Sequence, residues 1–217
     1  RLLARGPRVR LTSEQIRDQA LALSGLLAEK IGGPSVRPYQ PEGLYKGIVV
    51  DAPYPSTTWE LGKGDELYRR SLYTFWKRTV PHPAMLTFDS PDREFCSARR
   101  SRTNTPLQAF VTMNDPQWVE AARRLAERAV TAAVDPKGRL EFLAHATLGR
   151  PLQAAETKAL LGSAERVRAK YTADAAAAEA LLKVGESSSY PALPPSELAT
   201  WTVVASQFLN LDEFLNK

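Results

Sequence analysis

Prolines at 38, 41, 53, 55, 81, 83 and 91 punctuate the chain from Pro34 to Pro91, and aromatic residues crowd between them. A proline removes a backbone donor and clashes with the preceding turn, so no helix of ordinary length survives such spacing. On either side the punctuation changes to helix grammar. Thr12 with Gln15 forms a capping box, after which Ile16, Ala20, Leu23 and Leu27 share one face. The run "IGGP" (Ile31 to Pro34) is expected to end that helix. Thr105-Pro106 and Asp115-Pro116 each pair a cap with a first-turn proline. They predict a short helix over "TPLQAFVTMN" and a longer amphipathic one over "DPQWVEAARRLAERAVTAA", with Trp118, Ala122, Leu125 and Ala129 inward.

Further helices follow over "KGRLEFLAHATLG", over "QAAETKALLGSAERVRAKYT" with Leu160, Leu161, Ala164 and Val167 inward, and through an alanine-rich stretch to Leu182 before Gly185. A loop, "GESSSYPALPP", leads to a last apolar helix around Trp201, Val204, Ala205 and Phe208. The expected fold is mainly α: a helical domain with a long irregular insertion, aromatic and proline-rich. Its segment "SLYTFWKRTV" (Ser71 to Val80) reads as a short strand or β-hairpin arm. The whole, 1–217, is expected to form one domain: a first helix within 1–33, the insertion over 34–104 and a helical bundle over 105–217. It is expected to be the C-terminal part of a larger protein, since it opens on Arg1 without a signal peptide.

Composition narrows the chemistry. No apolar run reaches the length of a transmembrane span. A net charge of +5 admits acidic partners. The basic residues are interleaved with acids, and no nucleic-acid-binding motif occurs, so nucleic acid is not expected as a partner. Cys96 is the single cysteine and His82 and His145 the two histidines. No disulfide within the chain, no covalent haem attachment and no histidine-rich zinc site are therefore expected, and no cofactor is assigned to this chain.

One block departs from this plainness. "DREFCSARRSRTNTPLQAF", Asp92 to Phe110, holds two acids, the cysteine and four arginines. Arg99, Arg100 and Arg102 precede the helix expected at Pro106, and with Thr105 at its N-terminus they form a candidate anion site, because arginine forks and free N–H groups suit carboxylate, phosphate or sulfate. The competing reading pairs these arginines internally with Asp89, Asp92 and Glu94 and makes the block a structural knot. Cys96, between Phe95 and Ser97, reads as a small buried residue, with a nucleophilic role as the rival reading. The spacing of the three acids does not match a calcium loop. Among the aromatics of the insertion, Trp59, Tyr73 and Trp76 are candidates for a sugar-binding platform, the rest filling space beneath the loop.

The residues also resemble a known family. "RLLARGPRVRLTSEQIRDQALALSGLLAEKIGGPSVRPYQPEGLY", "LYRRSLYTFWKRTVPHPAMLTFDSPDREFCSARRSRTNTPLQAFVTMNDPQWVEAA" and "SELATWTVVASQFLNLDE" resemble the C-terminal domain, of unknown function, of large exported planctomycete proteins. The resemblance implies upstream modules in the same polypeptide, one of them a cytochrome c that carries the only haem. It also implies a periplasmic or cell-envelope setting and an association with breakdown of complex, often sulfated, polysaccharides. It brings no catalytic residues with it, and His82 stands where a proline or small residue is expected. Two functions follow as expectations. One is a non-catalytic interaction or scaffold domain that docks on the upstream modules and binds acidic or sulfated glycan near Arg99–Arg102. The alternative is an enzyme domain acting on polysaccharide with the Asp92–Arg102 block in its cleft.

Overall fold

The computed structural model describes residues 6, 8–45, 59–188 and 193–217. Tyr54 and the prolines at 53 and 55 lie outside these residues. Nine helices are described: α1 (Ser13–Ser24), α2 (Pro83–Thr87), α3 (Pro106–Asn114), α4 (Pro116–Ala132), α5 (Pro136–Leu148), α6 (Ala154–Ala173), α7 (Ala175–Leu182), α8 (Pro195–Leu209) and α9 (Asp212–Leu215). The fold is mainly helical, as the punctuation predicts.

Helix α4 is the axis of the bundle and packs against α8, α1, α5 and α3. Its inward face is Trp118, Ala122, Leu125, Ala126 and Ala129, all buried. The alanines let Leu198, Trp201, Val204, Ala205 and Phe208 of α8 come close, and Ile16, Leu140, Leu143 and Phe214 complete the same core. The chain ends join beside it. Val9 and Lys217 exchange backbone hydrogen bonds of 2.6 and 2.9 Å, and Leu11 N–H donates to the Leu215 carbonyl at 3.0 Å.

Helix α1 carries the expected capping box, with Thr12 Oγ1 and the Gln15 side chain exchanging bonds with the backbone. It ends earlier than expected. Gly25, at φ 76°, closes it by donating to the Ala22 and Leu21 carbonyls, and "IGGP" does something else. The carbonyls of Lys30, Gly32 and Pro34 all accept from the Arg69 guanidinium, which also lies 3.8 Å from the centre of the Tyr73 ring.

The expected strand or hairpin over Ser71–Val80 is not there. Its first residues form a 3-10 turn, Ser71–Tyr73, preceded by another at Gly64–Tyr68. Among the described residues of this region, pairing is limited to isolated bridges, Ala28 with Arg69, Val36 with Thr74, and Lys77 with Val80. Without a ladder, the irregular backbone finds its donors elsewhere. Arg17 of α1, buried, donates to the Leu67 and Arg69 carbonyls at 2.8 and 2.9 Å, to Ser71 Oγ at 3.1 Å and to Gln117 Oε1 at 2.9 Å. Its neighbour Asp18 accepts from the Ser71 N–H and hydroxyl, both at 2.7 Å. Beneath lies a satellite core of Leu21, Tyr39, Leu67 and Tyr68.

A second polar clasp joins the insertion, α4 and the turn after α7. Glu120 Oε1, fully buried, accepts from Tyr68 Oη at 2.8 Å and from the Ser187 N–H at 2.6 Å. Arg123 donates to the Ser187 carbonyl at 2.7 Å, and Tyr39 Oη accepts from the Glu186 N–H at 2.8 Å. Gly185 is required here. Its φ is 90°, and a Cβ would lie 2.3 Å from Glu120 Cδ.

Two titratable groups line one small cavity of about 20 Å³ with Arg17. Burial pushes Asp115, the cap of α4, up to about 6, against the Gln117 N–H and the Arg17 charge. Burial and the Arg17 charge bring His82 down to about 4, although its Nε2 sits 2.8 Å from the Tyr39 carbonyl. The contribution of Asp115 to stability is complete below its ordinary 3.8 and is lost as pH rises through about 6. That of His82 is complete above 6.5 and is lost as pH falls towards about 4. The two oppose one another between pH 4 and 6.

Two predictions follow from these buried charges. Arg17→Met leaves the Leu67 and Arg69 carbonyls without their donor and lowers stability by about 3–5 kcal/mol in urea denaturation. Asp115→Asn keeps the helix cap but removes the opposing slope. Its Tm therefore climbs more steeply from pH 4 to 6 than that of the parent, and superimposable profiles would contradict the assignment.

Candidate functional site

The loop from Asp92 to Asn104 crosses the surface between α2 and α3, and side-chain contacts hold it along its length. Trp76 Nε1 donates to the Asp92 carbonyl at 2.9 Å. Arg100 Nη1 meets both carboxylate oxygens of Glu14 on α1, at 2.9 and 2.7 Å. The Thr103 N–H and hydroxyl donate to Asp89 at 2.7 to 3.0 Å. Asp89 and Arg93 both take left-handed backbone, at φ 60° and 65°. Aspartate tolerates that region, whereas arginine there is uncommon. The Arg93 guanidinium lies over the Trp76 ring at 4.8 Å.

This anchoring overturns internal pairing as the explanation of the block. None of Arg99, Arg100 and Arg102 pairs with Asp89, Asp92 or Glu94. Asp89 is committed to Thr103, and Asp92 Oδ1 accepts the Glu94 N–H at 2.9 Å in a local turn. Arg100 finds its partner 86 residues away in Glu14. Burial pushes the Glu14 carboxyl up, but the Arg100 hydrogen bond and charge outweigh it and hold the group below its ordinary value. The Arg99 and Arg102 side chains have no acid partner among the described residues. The loop is exposed, and water stabilises their charge there, so nothing compels them to pair.

Beneath them is a pocket of about 260 Å³. It is lined by Arg99, Arg100, Ser101 and Arg102 of the loop and by Leu11, Thr12, Phe88, Asp89 and Gln108. Arg10 also lines it, brought there by the pairing of residues 9–11 with the C-terminus. Its side chain is nine-tenths buried, one Nη donates to Gln108 Oε1, and its Nε is buried with no hydrogen-bond partner. Burial lowers the Arg10 pKa from its ordinary value, with Asp212 and Asp89 acting the other way. Gln108, fully buried on α3, donates to the Thr87 carbonyl at 3.0 Å and so braces the floor.

Four guanidiniums thus surround a cavity whose lining holds one carboxylate, and that carboxylate is already hydrogen-bonded. Such a site suits an oxyanion.

Other sequence candidates fall elsewhere. Thr105 is the N-cap residue of α3, but its side chain makes no capping bond and does not line the pocket. Trp59, Tyr73 and Trp76 do not line it either. Trp59 packs with Tyr45, Phe75 and His82 at centroid distances of 5.7 to 6.4 Å. Tyr73 is covered by Arg69 and accepts the Gly32 N–H at 2.8 Å, while Trp76 carries Arg93. Cys96 is exposed rather than buried, because the loop that carries it lies on the surface. No group of three or more metal-ligating side chains occurs among the described residues. Sequence reasoning missed Arg10 and Gln108. Nothing in "RVRL" separates Arg10 from Arg8, which pairs with Asp212 on the surface at 2.7 Å.

The division of labour within the block has a measurable consequence. Arg100→Ala and Glu14→Gln each release the loop from α1 and cost about 0.5–1 kcal/mol in chemical denaturation. Arg99→Ala and Arg102→Ala stay within about 0.5 kcal/mol of the parent. A large loss at Arg99 or Arg102 would show that these side chains are structural after all.

No helix among the described residues is long and apolar enough to cross a membrane. No curated protein and no solved structure matches the chain. A family model does, over residues 1–164, which is about three quarters of the length. Those residues include α1 to α5, the arginine loop and every residue that lines the pocket. The chain belongs to the PSD1 family, described as a protein of unknown function (DUF1553).

Proposed function

We propose that this chain is a non-catalytic interaction domain whose arginine pocket holds an acidic group of a glycan, a sulfate ester or a uronic carboxylate. The observation that carries the reading is that Arg99 and Arg102, with no acid partner among the described residues, stand at a cavity also lined by Arg10 and Gln108. A guanidinium fork matches such oxyanions. Binding is favoured over hydrolysis because the carboxylate lining the pocket, Asp89, is engaged by Thr103 rather than free for proton transfer.

The wider setting follows the sequence resemblance. In this reading the chain belongs to an exported protein of the periplasm or cell envelope and docks on upstream domains of the same polypeptide. Haem is confined to one of those domains. Sulfated and uronic polysaccharides are the ligands to try first.

The test is a thermal-shift screen with neutral, uronic and sulfated oligosaccharides, on the parent and on an Arg99→Ala/Arg102→Ala variant. A ligand that binds the native state at a hundred times its Kd adds about 2.7 kcal/mol of stability. A rise in Tm of several degrees is expected with an acidic saccharide in the parent, and none in the variant. Absence of any shift, or an equal shift in both proteins, would overturn the assignment. Turnover of the bound glycan would put the polysaccharide-acting enzyme in its place.

A further inference from the structure

We infer that helix α3 and the arginine loop ahead of it form a docking face for an anionic phospholipid surface. The face goes beyond the pocket, because its apolar side chains line no part of that cavity.

Helix α3 is turned inside out. Its polar residues Gln108 and Thr112 are each only 1% exposed. Gln108 is held by Arg10 and the Thr87 carbonyl, and Thr112 Oγ1 donates to Asn210 Oδ1 at 2.7 Å. Leu107, Phe110 and Met113 are instead 66%, 62% and 46% exposed. Residues three apart are neighbours on a helix surface, so these three make one apolar stripe. Phe95, in the loop ahead of the helix, is 80% exposed. A helix whose outer side meets water carries the opposite pattern. Exposed apolar surface of this kind marks a contact with a partner or a membrane.

Charge selects the occupant. From Phe95 to Asn114 the sequence holds Arg99, Arg100 and Arg102 and no acid. Asp92 and Glu94 stand at the start of the loop, on either side of Arg93. Arg100 is paired with Glu14, whereas Arg99 and Arg102 have no acid partner among the described residues. These arginines share a cavity with Gln108, which places them beside the N-terminal turns of α3, where the stripe begins. The helix itself, nine residues long, carries no charged side chain that would have to leave water. It is far too short to span a bilayer, but it can lie on one. Guanidiniums then sit among anionic headgroups while Leu107, Phe110 and Met113 enter the acyl boundary. A second copy of this chain is a poorer cover, since it would bring a face of the same positive sign against this one.

Co-sedimentation with vesicles tests the face. The vesicles are phosphatidylcholine alone, or phosphatidylcholine and phosphatidylglycerol in about equal parts. The full chain is compared with Leu107→Gln/Phe110→Gln and with Arg99→Ala/Arg102→Ala, each checked for folding by its Tm. Glutamine is a good helix former, and Phe95→Gln, outside any helix, gives a further probe that does not depend on α3. The parent is expected to bind the anionic vesicles about tenfold more tightly than the neutral ones, and high salt is expected to erase most of that difference. Each double variant is expected to lose about tenfold, and Phe95→Gln about threefold. Equal binding to both kinds of vesicle would overturn the proposal. Parent-like binding by all the glutamine variants would do so too, because the vesicle would then be only a source of anions for the arginines. Dimers of the parent in sedimentation equilibrium that become monomers in Leu107→Gln/Phe110→Gln would put a second copy in place of the lipid. Neither Leu107 nor Phe110 lines the pocket, so saccharide shifts measured on that same variant separate a failure here from a failure of the pocket.

Discussion

The fork of Arg17 holds together what a β-sheet would hold in another protein. Residues 64 to 75 run across α1 without a strand ladder, and a backbone of that kind carries buried carbonyls that need donors. Arg17 serves two of them from the middle of a helix, with Ser71 and Gln117 completing its shell, and Asp18 grips the same turn from the next position. Burial draws Arg17 down to about 10, so it remains charged at neutral pH, and the charge-assisted bonds are kept. Arg69 repeats the device one layer out by gathering three carbonyls of the segment after α1. The carbonyls of irregular backbone are thereby satisfied by side chains of fixed planar geometry.

The arginine pocket depends on that rigidity at one remove. The loop is held by Trp76, Asp89 and Glu14 among others, and the first two belong to the stretch that the insertion and α2 position. Its arginines share a composition but not a job. Arg100 is tied to the scaffold, Arg93 covers an aromatic ring, Arg10 lies inside against Gln108, and Arg99 and Arg102 meet no carboxylate among the described residues. A cationic surface built on a braced loop loses little conformational entropy when it meets an anion.

The helices were legible because their boundaries are written in local chemistry. Thr12 with Gln15, Asp115-Pro116 and Gly149 each act on their own turn, and α3 to α8 appear where those signals place them. The end of α1 was misread because Gly25 and the Gly32-Gly33 pair carry the same signal, and the choice between them is made by Arg69, 36 residues beyond Gly33. Aromatic and β-branched content suggested a strand at Ser71–Val80, but the partner that a strand needs is absent from its neighbourhood, and Asp18 and Arg17 take its polar groups instead. For the site, Arg99, Arg100 and Arg102 stood out as a cluster in sequence, whereas Arg10 and Gln108 reach it from opposite ends of the chain's contacts. The two residues are 98 apart in the chain, and no local pattern encodes a meeting at that distance.

The docking of α8 on α4 bears on where this domain can be cut. The match to the family model ends at residue 164, within α6, but Leu198, Trp201, Val204 and Phe208 supply the surface that covers the inner face of α4. A polypeptide ended at that limit would present Trp118, Leu125 and the alanines between them to solvent, an apolar stripe of the kind that drives self-association. It would also lose Leu215 and Lys217, the pairing partners of Leu11 and Val9, and with them the placement of Arg10. The stretch that the family model matches is therefore smaller than the stretch that closes this core, and it is shielded from solvent by a helix outside the matched residues.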